Sequence, residues 1–113
     1  MSFDLHFCLH HLIEHGGSDL HLKVPAAPVM RVDGAMHPID GLASLTPEDT
    51  ERAVHEMLHD PEKLKEFADD GEVDFAYSIP GLARFRCNAF RQRGSVSVVI
   101  RAIPVSILSL IHI

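Results

Sequence analysis

From residue 83 to 89 apolar and polar positions alternate one for one. Ala83, Phe85, Cys87 and Ala89 are small or apolar, and Arg84, Arg86 and Asn88 are polar. This period of two predicts a strand with one buried face. Residues 96–100 repeat it in the opposite phase: Val96, Val98 and Ile100 are apolar, and Ser97, Val99 and Arg101 are their odd neighbours. Gly94 lies between the halves, so the two strands predict a tight hairpin. Directly opposite residues share a face. If Phe85 and Cys87 share the core face with Val98 and Ile100, odd positions pair with even ones. Arg101 then joins Arg84 and Arg86 on the outer face, whether the loop has two residues or four. A slip by one residue would bury the arginines.

The rest of the chain has a comparable rhythm. Residues 4–15 predict a helix with Leu5, Leu9, Leu12 and Ile13 at helical spacing, ended by Gly16-Gly17. Leu20, Leu22 and Val24 alternate as the inward positions of a strand. Pro25-Ala26-Ala27-Pro28 is a stiff connector. Residues 29–32 and 35–39 predict a hairpin turning at Asp33-Gly34. Thr46 and Pro47 start a helix with the apolar stripe Ala53, Val54, Met57 and Leu58. Asp60-Pro61 starts a shorter helix with Leu64, Phe67 and Ala68 inward, ended by Asp69-Asp70-Gly71. Val73, Phe75 and Tyr77 alternate as a strand, and Pro80-Gly81 turns into the arginine hairpin. Hairpins dominate this order, which predicts an α+β fold. A PAS-like antiparallel sheet of about five to six strands would carry helices packed against it.

Charge sharpens the arginine hairpin. Five of the seven arginines lie between Arg84 and Arg101, and no acid lies in that interval. The segment is +5 in a chain of net charge −6, which leaves −11 for the remainder. Such asymmetry points to a bound anion or an acidic partner surface. The structural alternative is that neighbouring carboxylates neutralise the guanidiniums. At 113 residues one domain is expected. There is no run of 18 apolar residues, so no direct membrane insertion is expected, and the N-terminus lacks secretory features. Cys8 and Cys87 lack metal or redox spacing and are expected to be reduced core residues of a cytosolic protein. A pI of about 5.8 argues against a nucleic-acid partner. One reverse translation of Leu108–Ile113 reads as a transposase sequencing adapter, so residues 105–113 are expected to be a truncated end with a non-native tail.

Several stretches, in one order, resemble the N-terminal domain of the type IV pilus retraction ATPases, the twitching-motility PilT family of the secretion-type ATPase superfamily. They are Gly17 to Leu22, Pro28 to Gly34, Asp74 to Tyr77, Gly81 to Phe90, Gln92 to Gly94, and Arg101 to Pro104. The resemblance covers about residues 4–104 and implies that residues 1–104 are such a domain. It further implies a hexameric ring of identical subunits that hydrolyses ATP with Mg²⁺ to power pilus retraction. That ring would work in the cytoplasm, peripherally at the inner-membrane base of the pilus, with the pilus inner-membrane machinery as partner. By the same resemblance, Arg84, Arg86 and Arg101 would contact ATP phosphate, and Arg91 and Arg93 are weaker candidates. No G-x-x-x-x-G-K-[ST] phosphate loop occurs in these 113 residues. No catalytic residue is therefore expected in this stretch, no tightly bound cofactor, and no ATP hydrolysis by it alone.

Other readings compete. His6/His10, His11/His15 and His55/His59 have i, i+4 zinc-pair spacing, but on the first helix the pairs flank the apolar stripe on opposite sides. No metal site is expected. A free-standing PAS-type small-molecule sensor or interaction module is the alternative function. It predicts an apolar pocket inside the curve of the sheet. The segment 48–74, net −8 from 11 acids and three bases, reads as a solvated helical face.

Overall fold

The computed structural model describes residues 3–103; the expectation for residues 105–113 lies outside them. Three helices, α1 (Leu5–Glu14), α2 (Pro47–Met57) and α3 (Pro61–Asp70), accompany six strands: β1 (Asp19–Leu22), β2 (Val29–Val32), β3 (Ala35–Pro38), β4 (Glu72–Ile79), β5 (Ala83–Gln92) and β6 (Ser95–Ile103). The strands form one sheet in the order β3-β2-β1-β6-β5-β4, antiparallel at every step. The α+β class and the six-stranded antiparallel sheet agree with the sequence expectation.

The helix ends follow their sequences. The Asp4 carboxylate accepts from the Phe7 N–H at 3.1 Å and opens α1. Thr46 and Asp49 form a reciprocal capping box ahead of Pro47. Asp60 caps α3, and Gly71 ends it in the left-handed region at φ 75°. The β2–β3 and β5–β6 hairpins turn on Asp33-Gly34 and Arg93-Gly94, and all four residues have positive φ, from 50° to 83°. Two-residue turns of this kind match the twist of the strands that they join.

The helices cover one face of the sheet. Leu20, Leu22, Val73, Phe85, Cys87, Ala89, Val98 and Ile100 bury against Leu5, Leu9, Leu12, Val54, Met57 and Phe67. Burial of each large side chain stabilises the fold by about 1.5–3 kcal/mol. The Cys87 thiol lies 4.0 Å from the Met57 sulfur, and the Tyr77 hydroxyl meets His6 Nε2 at 2.8 Å. Gly17 sits where chain and helix nearly touch. A Cβ there would lie 2.5 Å from Leu12 Cδ1 and 3.2 Å from the Arg31 carbonyl oxygen.

Two inward assignments change. Ala68 is exposed, because α3 turns only Phe67 fully into the core, with Leu64 partly buried beside it. On α1 the centre of the buried stripe is Cys8, fully buried, while Ile13 is only partly covered.

Candidate anion-binding face

The register of β5 and β6 builds the site. Phe85 pairs with Ala102, Arg86 with Arg101, and Cys87 with Ile100. Odd positions thus meet even ones. Arg84, Arg86 and Arg101 stand on the face away from the helices, all exposed. Arg86 and Arg101 are direct partners, which places their Cβ atoms about 4.5–5.5 Å apart.

The row through this pair continues across the sheet. Arg101 pairs with Asp19 of β1, and Asp19 pairs in turn with Arg31 of β2. Arg31, Asp19, Arg101 and Arg86 therefore follow one another on four adjacent strands. Asp19 is buried at 8% exposure, and its Oδ2 lies 3.6 Å from Arg101 Nε. The Arg31 guanidinium donates to the Gly34 carbonyl at 3.1 Å. Among the described residues no carboxylate lies within ion-pair distance of Arg84 or Arg86. On this face Glu72 and Asp74 accept from the Asn88 amide at 3.0 and 2.8 Å. A shallow recess of about 330 Å³ opens between Arg86, Arg101, Asn88, Asp74 and Val99. Neutralisation by neighbouring acids thus describes Arg101 and not Arg84 or Arg86.

The two weaker candidates part company. Arg91 has the inward parity of β5 and leaves the arginine face. Its guanidinium reaches Glu51 of α2 with both terminal nitrogens, at 3.3 and 3.4 Å, and lies 4.8 Å over the Phe67 ring. It ties the end of β5 to the helices. Arg93 occupies the turn at φ 53° and stays exposed beside Lys23, Ser95 and Ser97.

Sequence reasoning missed Arg31 and Asp19. The alternation Met30 inward, Arg31 outward was available in the sequence. The pairing of β1 with both β2 and β6, which brings these residues beside Arg101, was not. His21 also lies on this face, between Val29 and Val99, with its Nε2 buried and unpartnered. Burial lowers its pKa from 6.5; Asp19 opposes that shift and Arg31 reinforces it. The histidine pairs have local partners. His11 and His15 stack with ring centroids 4.0 Å apart, and His55 lies 3.6 Å from Glu51. Among the described residues no three metal-ligating side chains converge.

The fold of this chain is found in solved ATPases. The crystal structure of the pilus retraction motor PilT with bound ADP superposes with a TM-score of 0.84 at 34% identity, covering 94% of this chain and 31% of that one. The Legionella pneumophila ATPase DotB shares the fold with a TM-score of 0.75 at 20% identity, covering 100% of this chain and 33% of its own. In sequence the chain is 36% identical over 97 residues to the type IV pilus retraction ATPase PilT of Pseudomonas aeruginosa, covering 86% of this chain and 28% of the relative. It is 36% identical over 99 residues to PilU, a type IV pilus ATPase of the same organism, covering 88% and 25%. A twitching motility protein of Neisseria gonorrhoeae is 36% identical over 83 residues, covering 74% and 22%. No protein-family profile matches the sequence. The chain belongs with the PilT-type pilus ATPases and corresponds to their N-terminal domain. It spans about a quarter of the length of the curated relatives that it matches.

Proposed function

We propose that this domain is the ring-forming, nucleotide-facing part of a hexameric ATPase that powers type IV pilus retraction, and that Arg84, Arg86 and Arg101 act on the phosphates of ATP. The observation that carries this reading is the opposition of Arg86 and Arg101 across the β5–β6 ladder. Two like charges at one register position destabilise a sheet unless an anion joins them. Arg84 and Arg86 have no carboxylate partner among the described residues. Guanidinium forks match phosphate oxygens and stabilise the charge that develops during transfer. Asp19 lies 3.6 Å from Arg101 Nε, and the terminal nitrogens of Arg101 make no hydrogen bond to protein among the described residues.

Mg²⁺ would be held by the part of the full-length protein that carries the phosphate loop, since the acids on this face are already engaged, Glu72 and Asp74 by Asn88 and Asp19 by Arg101. The same reading places the ring in the cytoplasm, peripheral to the inner-membrane base of the pilus, with the pilus machinery as partner. The sensor alternative is disfavoured by the core: Leu9, Leu12, Phe85 and Ile100 are wholly buried where an apolar pocket would open.

The test uses a full-length protein with the phosphate-loop domain in place. Arg84, Arg86 and Arg101 are replaced singly by Ala and by Lys, and ring assembly and ATP hydrolysis are measured. A charge-assisted contact is worth about 1.5–3 kcal/mol, so each Ala variant is expected to slow turnover roughly 10- to 150-fold. Lys restores charge without the planar fork and should rescue only in part. Three Ala variants that assemble and turn over at the parent rate would overturn the phosphate role. Loss of assembly alone would move the arginines to the subunit interface.

A further inference from the structure

At the turn end of the sheet, on the same face as the arginines, a recess of about 380 Å³ is lined by Lys23, Val24, Gln92, Arg93, Ser95 and Ser97. Ser97 and Arg101 are four residues apart on β6, so about 13 Å separates this recess from the arginine row. We propose that the recess is a second oxyanion site, built for a phosphate group held between Lys23 and Arg93.

Three features point to an anion. The lining contains two cations and no acid. Neither Lys23 nor Arg93 has an ion-pair partner among the described residues. Ser97 lines the recess, and its hydroxyl makes no hydrogen bond to protein among the described residues, so it is left to solvent or a ligand. Ser95 and the Gln92 amide supply further donors around it. The set suits a group with several acceptor oxygens and more than one negative charge. A lone carboxylate would leave part of it unused.

The positions are held by backbone constraints. Gln92 and Ser95 pair across the turn, and Arg93 and Gly94 close it in the left-handed region at φ 53° and 83°. Lys23 follows β1 directly, one residue beyond the Leu22–Val98 pair. β5, β6, the turn between them and the end of β1 thus bring these residues to one recess. The site stands independently of the arginine row and of the ring.

The probe is inorganic phosphate, titrated into the 113-residue chain at fixed ionic strength and followed by amide NMR. Phosphate is expected to shift the amides of residues 93–97 along a saturating curve. Replacing both Lys23 and Arg93 by Ala should raise the half-saturation concentration at least tenfold, and Ser97→Ala should raise it several-fold. Lys65→Ala, which removes one charge from an exposed flank of α3, should leave it within twofold. A second arm uses ATP. The same saturating shifts at 93–97 are expected, since the donors recognise the phosphate group and not what it is attached to. Shifts that grow linearly, that appear equally with chloride, that centre on residues 84–86 and 101, or that weaken as much in Lys65→Ala would each overturn the site.

Discussion

Arg86 and Arg101 are direct cross-strand partners, and Asp19 flanks only one of them, 3.6 Å from Arg101 Nε. In the domain alone the pair is a like-charge opposition on an exposed face. Replacing Arg86 by Thr should therefore raise the stability of the 113-residue chain by about 0.2–1 kcal/mol, the opposite direction from its expected effect on hydrolysis. Urea denaturation of the two chains decides it. A destabilised Arg86→Thr chain would mean that Arg86 has a structural partner.

Asp19 should behave in the contrary way. It is nearly buried, with an arginine directly opposite on each neighbouring strand. Asp19→Asn keeps the shape and removes the charge. The expected loss is about 1 kcal/mol, the worth of an ion pair whose arginine is largely exposed. The midpoint of urea unfolding should fall with no change in slope, and an unchanged midpoint would count against this role.

His21 gives a pH dependence with a defined sign. Burial lowers its pKa from 6.5 in the folded state, with Arg31 contributing and Asp19 opposing. The unfolded chain therefore binds a proton more readily than the folded one. The contribution of His21 to stability is full above the unfolded value and is lost as pH falls through the lowered folded value. Stability measured from pH 8 to pH 4.5 should fall less steeply in His21→Gln than in the parent. Because the chain has eight other histidines, the informative quantity is the difference between the two curves. Parallel curves would contradict the expectation.

Both thiols should be inert in the native state. Burial pushes Cys87 up to about 12, and burial together with Asp4 pushes Cys8 up to about 12. At pH 8 the thiolate fraction is then roughly a thousandfold below that of a free cysteine. Iodoacetamide labelling followed by mass spectrometry should modify neither residue until denaturant is added. Rapid native labelling of either would show that its part of the core opens.

Gly17→Ala should cost about 1–3 kcal/mol. Its new methyl group would press on Leu12, which is wholly buried, and on the Arg31 carbonyl. Thermal unfolding checks this, and an equal or higher midpoint would show that α1 and β2 yield at that point.

The legible part of the fold was the local part. Parity alone placed Arg84, Arg86 and Arg101 on one face, because the β5–β6 register is set by a short turn and by the need to bury Phe85 and Cys87. Arg91 was grouped with the phosphate candidates, although carrying the same alternation two residues further would have turned it toward the helices, where it meets Glu51. What stayed hidden depends on long-range pairing. Asp19 and Arg31 reach the arginine row only because β1 is inserted between β2 and β6, and no turn signal records that insertion. Ala68 was misplaced for a related reason: α3 is short, and only its Phe67 side reaches the sheet fully.

The strand order β3-β2-β1-β6-β5-β4 makes the first strand and the last the central seam of the sheet. Residues joined there, such as Asp19 and Arg101, are about eighty positions apart, and contacts this distant are slow to form. During synthesis β1 to β3 would emerge as a small hairpin assembly with one raw edge, held open until Val98 to Arg101 has left the ribosome. Of these six strands the last to be made is therefore the one that fastens the two halves together. A chain stopped short of β6 would present that bare edge to its neighbours, with aggregation as the expected fate.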